Sequence, residues 1–257
     1  SYWSTHTQQA GTAGTGYVCD FNGNLVFVHG DTQTTSLRMS AGVSHIYNAA
    51  NLDKDDRYGK GWTLDKYQIL EPTTGKIKEN GVLYVYLDGD GTKHYFYKDN
   101  NKLIDEDGLG LTIIQESSSN NDLYRIIEDK DGNRMVFDIW GKLRRFQDLN
   151  GNTVSMNYSP HNDGNYLSTM QDASGNMLSF HYTEGYRHLS SITDEAGRSI
   201  RYGYDASGKL TSVTYPDGSS SKYFYDGGGR LSGARSADGY QVNYEYVLDM
   251  GVPQVSK

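Results

Sequence analysis

Cysteine is almost missing from this chain: Cys19 is the only one in 257 residues. No intrachain disulfide can form, and no Cys-x-x-Cys metal or redox pair exists. A single thiol fits either the cytosol or a secreted protein stabilised by sheet area, so it does not fix the compartment. Proline is scarce as well, at four residues. No apolar run approaches the roughly 18 residues of a membrane span. The polar start at Ser1 is not a signal peptide, and the chain reads as a segment of something longer. Positive charge is in deficit, with 24 Lys and Arg against 32 Asp and Glu and a net charge of −8. Such a surface repels phosphate backbones and anionic membranes, and no lysine- or arginine-rich block makes a local exception. Helical periodicity with caps is absent too.

Glycine and tyrosine are what the chain has instead, 30 and 22 residues respectively. That composition favours many short strands joined by tight turns. Length is sufficient for a real core. A repeat organises the C-terminal part. Gly197-Arg-Ser-Ile-Arg-Tyr202-Gly-Tyr204-Asp205 aligns with Gly218-Ser-Ser-Ser-Lys-Tyr223-Phe-Tyr225-Asp226. Both continue through Gly208-Lys-Leu210 and Gly229-Arg230-Leu231 to a closing Asp-Gly, with an offset of 21 residues. Weaker copies begin at Gly91, Gly132, Gly151 and Gly175, and a shortened one begins at Gly239. With a degenerate copy over 109–131, about eight units run from residue 88 to 257.

Within a unit, Tyr202 and Tyr204 share one strand face, and Ala206-Ser-Gly208 turns the chain. Leu210 to Tyr215 reads as the return strand. Leu210 and Val213 have opposite parity, which calls for a bulge or burial on both faces. Asp217-Gly218 closes the hairpin and opens the next unit. The predicted fold class is therefore all-β: antiparallel hairpin repeats forming a curved, twisted sheet or partial spiral.

The glycine, Tyr-x-Tyr-Asp, Gly-Arg/Lys-Leu and Asp-Gly pattern resembles the YD repeats of the Rhs (rearrangement hotspot) family, found also in insecticidal toxin complexes and teneurins. The residues that carry it are Tyr202, Tyr204, Asp205, Gly208 and Leu210, then Tyr223, Tyr225, Asp226, Gly229, Arg230 and Leu231. The resemblance implies a strand spiral that closes as a shell around a passenger toxin, or a barrel used in adhesion. About eight repeats are too few for a closed shell. No Asp-Pro-x-Gly-Leu signature of passenger release occurs up to Lys257, so autoproteolysis is not carried over.

Residues 1–87 do not repeat. Gly16 to His29, Ser44 to Asn48, and Gly59-Lys-Gly61-Trp62-Thr-Leu64 resemble the segment that precedes YD repeats in Gram-positive surface proteins. Short strands are expected at Asn24 to Phe27 and Ser44 to Tyr47, with Gly59 to Gly61 turning Trp62 into the sheet. This β-rich N-terminal segment should start or cap the sheet.

Motifs for chemistry are lacking. The seven histidines, at 6, 29, 45, 94, 161, 181 and 188, form no His-x-x-x-His or His-Glu-x-x-His, and each reads as structural. There is no nucleophile elbow or phosphate loop, and Cys19 has no identifiable base. Asp88-Gly-Asp90-Gly91 and Asp129-Lys-Asp131-Gly132 are the nearest approach to calcium loops. Counting from Asp88 puts Asp99 at the twelfth position with Lys93 and Tyr95 interposed, so these are turns.

The expectation is a non-enzymatic module with no catalytic residue, cofactor or metal site. It would be part of a bacterial secreted or cell-surface protein of the toxin-delivery kind. Its partners would be other parts of the parent polypeptide or a passenger, with self-association through sheet edges. A carbohydrate-binding adhesin that stacks sugars on its aromatic rows is the alternative.

Overall fold

A turn of one geometry, repeated about every ten residues, builds the molecule. The computed structural model describes residues 5–117, 123–161, 164–249 and 252–255. In the strictest unit, Asp205 N–H donates to the Lys209 carbonyl and Gly208 N–H returns to the Asp205 carbonyl. Gly208 sits at φ +86°, the left-handed position of a three-residue hairpin loop with a glycine bulge. The Asp205 side chain secures it, because Oδ1 accepts the N–H groups of both Ser207 and Lys209. Asp129, Asp138, Asp148, Asp172, Asp194 and Asp226 cap their turns in the same way. The Asp217-Gly218 turn has the same backbone pattern, from Tyr215 to Ser219. Both ends of the repeat thus use one geometry.

The parity conflict at Leu210 is resolved by a bulge. Ser212 pairs with Gly203 but Leu210 pairs with Tyr204, so Thr211 is the extra residue. Leu210 and Val213 both end up buried. The same shift recurs one repeat later, between Phe224 and Tyr225.

The strands divide between two compact units. The first comprises 1–32, 42–65 and 180–257. Its N-terminal part is a five-stranded antiparallel sheet in chain order: β1 (Thr5–Gln9), β2 (Thr15–Cys19), β3 (Leu25–Gln33), β4 (Gly42–Asn48) and β5 (Trp62–Leu64). Both short strands expected here are longer than the sequence suggested, and Trp62 opens β5, 1% exposed.

The second unit comprises 33–41 and 66–179. It contains β6 (Ile69–Pro72), β7 (Val82–Leu87), β8 (Lys93–Asp99), β9 (Lys102–Asp105), β10 (Thr112–Ser117), β11 (Leu123–Glu128), β12 (Arg134–Phe137), β13 (Leu143–Gln147), β14 (Thr153–His161) and β15 (Gly164–Gln171). These form an antiparallel meander. The meander closes on itself: Leu70 N–H bonds to Gly141 O at 2.8 Å and Leu143 N–H to Gln68 O at 3.3 Å. Leu70, Phe96, Ile126, Phe137, Leu143 and Met156 fill its interior. A five-residue helix, α1 (Gly75–Glu79), joins β6 to β7 without a side-chain cap. A single turn is too short to leave a periodic signal.

β16 (Met177–Tyr182) runs across the boundary at 179/180, and the first unit ends with β17 (Leu189–Asp194), β18 (Ser199–Tyr204), β19 (Leu210–Thr214), β20 (Ser220–Tyr225), β21 (Leu231–Arg235), β22 (Gln241–Asn243), and a separate pair, β23 (Tyr246–Asp249) and β24 (Val252–Val255). The strands from β6 to β22 belong to one 17-stranded antiparallel sheet, as an all-β repeat fold requires.

Candidate functional site: the repeat leucines and the chain they hold

The repeat leucines open their return strands, with a bulge directly after Leu143, Leu210 and Leu231, and their outward backbone groups bond elsewhere. The carbonyls are claimed by the second tyrosine of the following unit. Tyr204 OH donates to Leu189 O at 2.8 Å, Tyr225 OH to Leu210 O at 2.5 Å and Tyr246 OH to Leu231 O at 2.9 Å. Burial pushes all three phenols well above their ordinary range, so they remain donors. The residue before each leucine covers the same ring. His188 stacks on Tyr204 at 4.5 Å, Lys209 lies over Tyr225 at 5.3 Å and Arg230 over Tyr246 at 4.8 Å. The Lys/Arg of the motif is therefore a ring-stacking cation. Arg230 also bonds Asp226 at 2.7 Å.

The N–H groups take non-repeat chain as partner. Leu189 N–H donates to Arg57 O at 2.7 Å and Leu231 N–H to the Tyr47 hydroxyl at 2.9 Å. At Gly208 the carbonyl receives Lys60 N–H at 3.0 Å. In the second unit, Leu143 and Gly141 make the equivalent contacts with Gln68 and Leu70. The Gly-x-Leu ends of the repeats thus act as a rail along which another stretch of chain is fastened, by its backbone at Leu189, Gly208 and Leu143 and by the Tyr47 hydroxyl at Leu231.

The strand faces complete the grip in the first unit. Tyr223 OH donates to Ala13 O at 2.8 Å, and Trp62 Nε1 donates to Tyr225 OH at 2.8 Å. Phe27 meets Trp62, Tyr223 and Tyr244 edge-on, with centroids 6.1–6.4 Å apart. Tyr223 and Tyr244 are buried in this contact and Tyr202 against His45, which withdraws their rings from stacking sugars.

A charged cluster lies in the same core, and sequence reading missed it. Asp31 Oδ1 accepts His29 Nδ1–H and Oδ2 accepts His45 Nδ1–H, each at 2.7 Å. All three side chains are inaccessible to solvent. His29 Nε2 lies 2.9 Å from the Tyr215 hydroxyl, which also bonds Thr12 O and Ser221. Burial alone would push the Asp31 carboxyl up. The His45 charge and the two imidazole hydrogen bonds overcome that and hold it below its ordinary value. With no exposed face, the arrangement pins β3 and β4 to each other and to the tyrosines beneath. The His29-x-Asp31 spacing, which puts both side chains on one strand face, was the available signal.

The other histidines bond to carboxylates or stay exposed. His6 pairs with Asp20 and His188 with Asp55. His181 is exposed, and the side chain of His161 lies outside the described residues. His94 sits between Asp88 at 2.9 Å and Asp107 at 2.7 Å. Hydrogen bonding to Asp88 raises its pKa, partial burial opposes this, and Asp107 adds to the rise, giving about 9. The Asp88 loop thus spends one oxygen on His94 and the other on its own turn. Because the folded value lies above the ordinary 6.5, the stabilisation is complete below about pH 6.5 and is lost as pH rises through about 9. An NMR titration should place the His94 midpoint near 9 and lower it in Asp107→Asn. A midpoint near 6.5 in the unaltered chain would contradict the clamp.

A family model described as RHS Repeat matches residues 188–220 and 204–241, the stretch that carries Leu189, Leu210 and Leu231. No curated protein matches the chain. Among solved structures, the crystal structure of TcdB2-TccC3-Cdc42 is 14% identical over 92% of this chain and 14% of its own, with a TM-score of 0.35. A Photorhabdus luminescens Tc holotoxin pore is 12% identical over 92% of this chain and 15% of its own, TM-score 0.35. The N-terminal domain of the effector protein SpvB from Salmonella typhimurium is 11% identical over 84% of this chain and 98% of its own, TM-score 0.44. The chain spans about one seventh of the toxin chains. Among the described residues, no helix is long and apolar enough to cross a membrane.

Proposed function

We propose that this chain, which carries RHS repeats, is a scaffold module whose repeats fasten another polypeptide. The parent would be a secreted or cell-surface protein that encloses or displays a passenger, and the module itself would take no catalytic part. In this division of labour, residues 1–87 lead into and cap the array and 88–257 form it. One observation carries the reading: the off-ladder N–H groups of Leu189 and Leu231 already hold non-repeat chain in place. The Leu189 contact, like those at Gly208 and Leu143, is to backbone, a recognition that tolerates many sequences and suits a module that holds varied passengers.

The test is to cut free the stretch that carries Tyr47, the partner of Leu231. Asp53 and Lys54 lie in an exposed loop, so a protease site inserted there can be cleaved in the folded chain. The N-terminal fragment should stay bound to the repeats through native gel filtration and leave only on denaturation. Separation of the fragments under native conditions would show that covalent continuity, and not the repeat face, holds them together.

A further inference from the structure

The net charge of −8 does not extend to every surface. Strands β17 to β22 form an antiparallel run within the first unit. Its inward residues, among them Ile200, Tyr202, Tyr223 and Ala234, are buried. The residues that alternate with them include Arg201, Lys222 and Arg235, all exposed. These cations lie 21 and 13 residues apart in the chain, so no basic run announces them, and strand register alone gathers them. Lys222 pairs directly with Arg235 across β20 and β21. Like charges set opposite each other destabilise a sheet. Arg198 and Arg230 pair with Asp194 and Asp226, but none of the three outward cations has an ion pair among the described residues. An arrangement that costs stability in this way marks a site kept for something other than folding.

Carboxylates are missing from this face. The one acidic residue within the six strands is Asp194, the turn cap that ends β17. Asp194, Asp217 and Asp238 lie in hairpin turns along one margin, and Asp205 and Asp226 in turns along the other. The result is a cationic lane, about 15–20 Å wide, that runs across the strands between two rows of aspartates. A broad anionic plane would meet those aspartates, whereas a single chain would not. The Arg235 guanidinium lies over the ring of Phe224 at 5.5 Å, so this aromatic residue of the face offers no open platform for a nucleic acid base.

Strand spacing puts the backbone of Lys222 about 5 Å from that of Arg235 and about 10 Å from that of Arg201 across the sheet. An extended peptide with acidic side chains at alternate residues spaces them about 7 Å apart, within reach of these long side chains. Ser212, Thr214 and Gln241 stand on the same face and offer both donors and acceptors. A peptide backbone uses both kinds of group, and a phosphate chain uses only the donors. We propose that this lane binds an extended acidic polypeptide segment, laid across β18 to β21 with its carboxylates on Arg201, Lys222 and Arg235. The lane is the reverse of the face that meets Phe27 and Trp62, so it does not rest on the scaffold reading.

The test is fluorescence anisotropy of a labelled Glu-Ser repeat peptide of about ten residues, long enough to cross the six strands, titrated with the intact chain at low ionic strength. It should bind at submillimolar concentration, and its Gln-Ser counterpart at least tenfold more weakly. Lys222→Gln combined with Arg235→Gln, both exposed, should weaken the acidic peptide at least tenfold. The melting temperature should hold or rise, because a repulsive pair is removed. Arg198→Gln, outside the lane, should leave binding within twofold. Absence of binding, equal affinity for the Gln-Ser peptide, undiminished binding in the double variant or an equal loss in Arg198→Gln would each overturn the assignment. So would stronger competition by inorganic polyphosphate or phosphatidylserine vesicles than by unlabelled peptide at equal charge, which would give the lane to a phosphate chain or a membrane.

Discussion

Gly141→Ala should be among the most damaging single substitutions in the second unit, lowering its stability by roughly 3 kcal/mol. Gly141 has φ +83°, which alone costs a residue with a Cβ about 1 kcal/mol. A Cβ there would also lie 2.5 Å from the Leu70 carbonyl oxygen, a backbone atom fixed by β6. Moving it breaks the Leu70–Gly141 and Leu143–Gln68 hydrogen bonds that close the meander. Gly151 is the internal control, with φ +80° and nothing within 4 Å of the added carbon. Gly151→Ala should therefore cost only about 1 kcal/mol. Urea denaturation read by tyrosine fluorescence separates the two. Equal midpoints would mean that the closure at Gly141 carries no stability of its own.

Asp31→Ala should cost the first unit about 3–5 kcal/mol, because two buried imidazoles each lose the acceptor of their Nδ1 proton. Asp31→Asn keeps the volume but accepts only one of those protons. The other histidine must change tautomer, and the loss should be smaller, about 2 kcal/mol. The pH dependence has a definite sign. The folded carboxyl titrates below its ordinary 3.8, so the stabilisation is present above that value and is lost as pH falls through the folded pKa. Denaturant melts of the unaltered chain and of Asp31→Asn should therefore differ at neutral pH and converge in strong acid. A constant difference across that range would mean that Asp31 is not held as a carboxylate.

How far the sequence reveals all this depends on whether the information is local. Turns were legible because each is a five-residue device: an aspartate that caps, a glycine in the left-handed region, and a fixed spacing. The bulge at Thr211 was legible as a parity conflict between Leu210 and Val213. Closure of the second unit was not, because Leu70 and Gly141 meet through backbone atoms and share no side-chain signature. The His29–Asp31–His45 cluster was half visible. Two members alternate on one strand, but the third comes from a neighbouring strand whose register no motif announces.

The central claim is that repeat leucines, at the starts of their return strands, use their N–H groups to fasten a second stretch of chain. Amide hydrogen exchange at Leu143, Leu189 and Leu231 tests it most directly. All three should exchange as slowly as the strand-centre amides Val213 and Tyr223, since each is bonded to backbone or to the Tyr47 hydroxyl. Exchange at the rate of exposed turn amides such as Ala206 would show that no chain is held there and would contradict the scaffold reading.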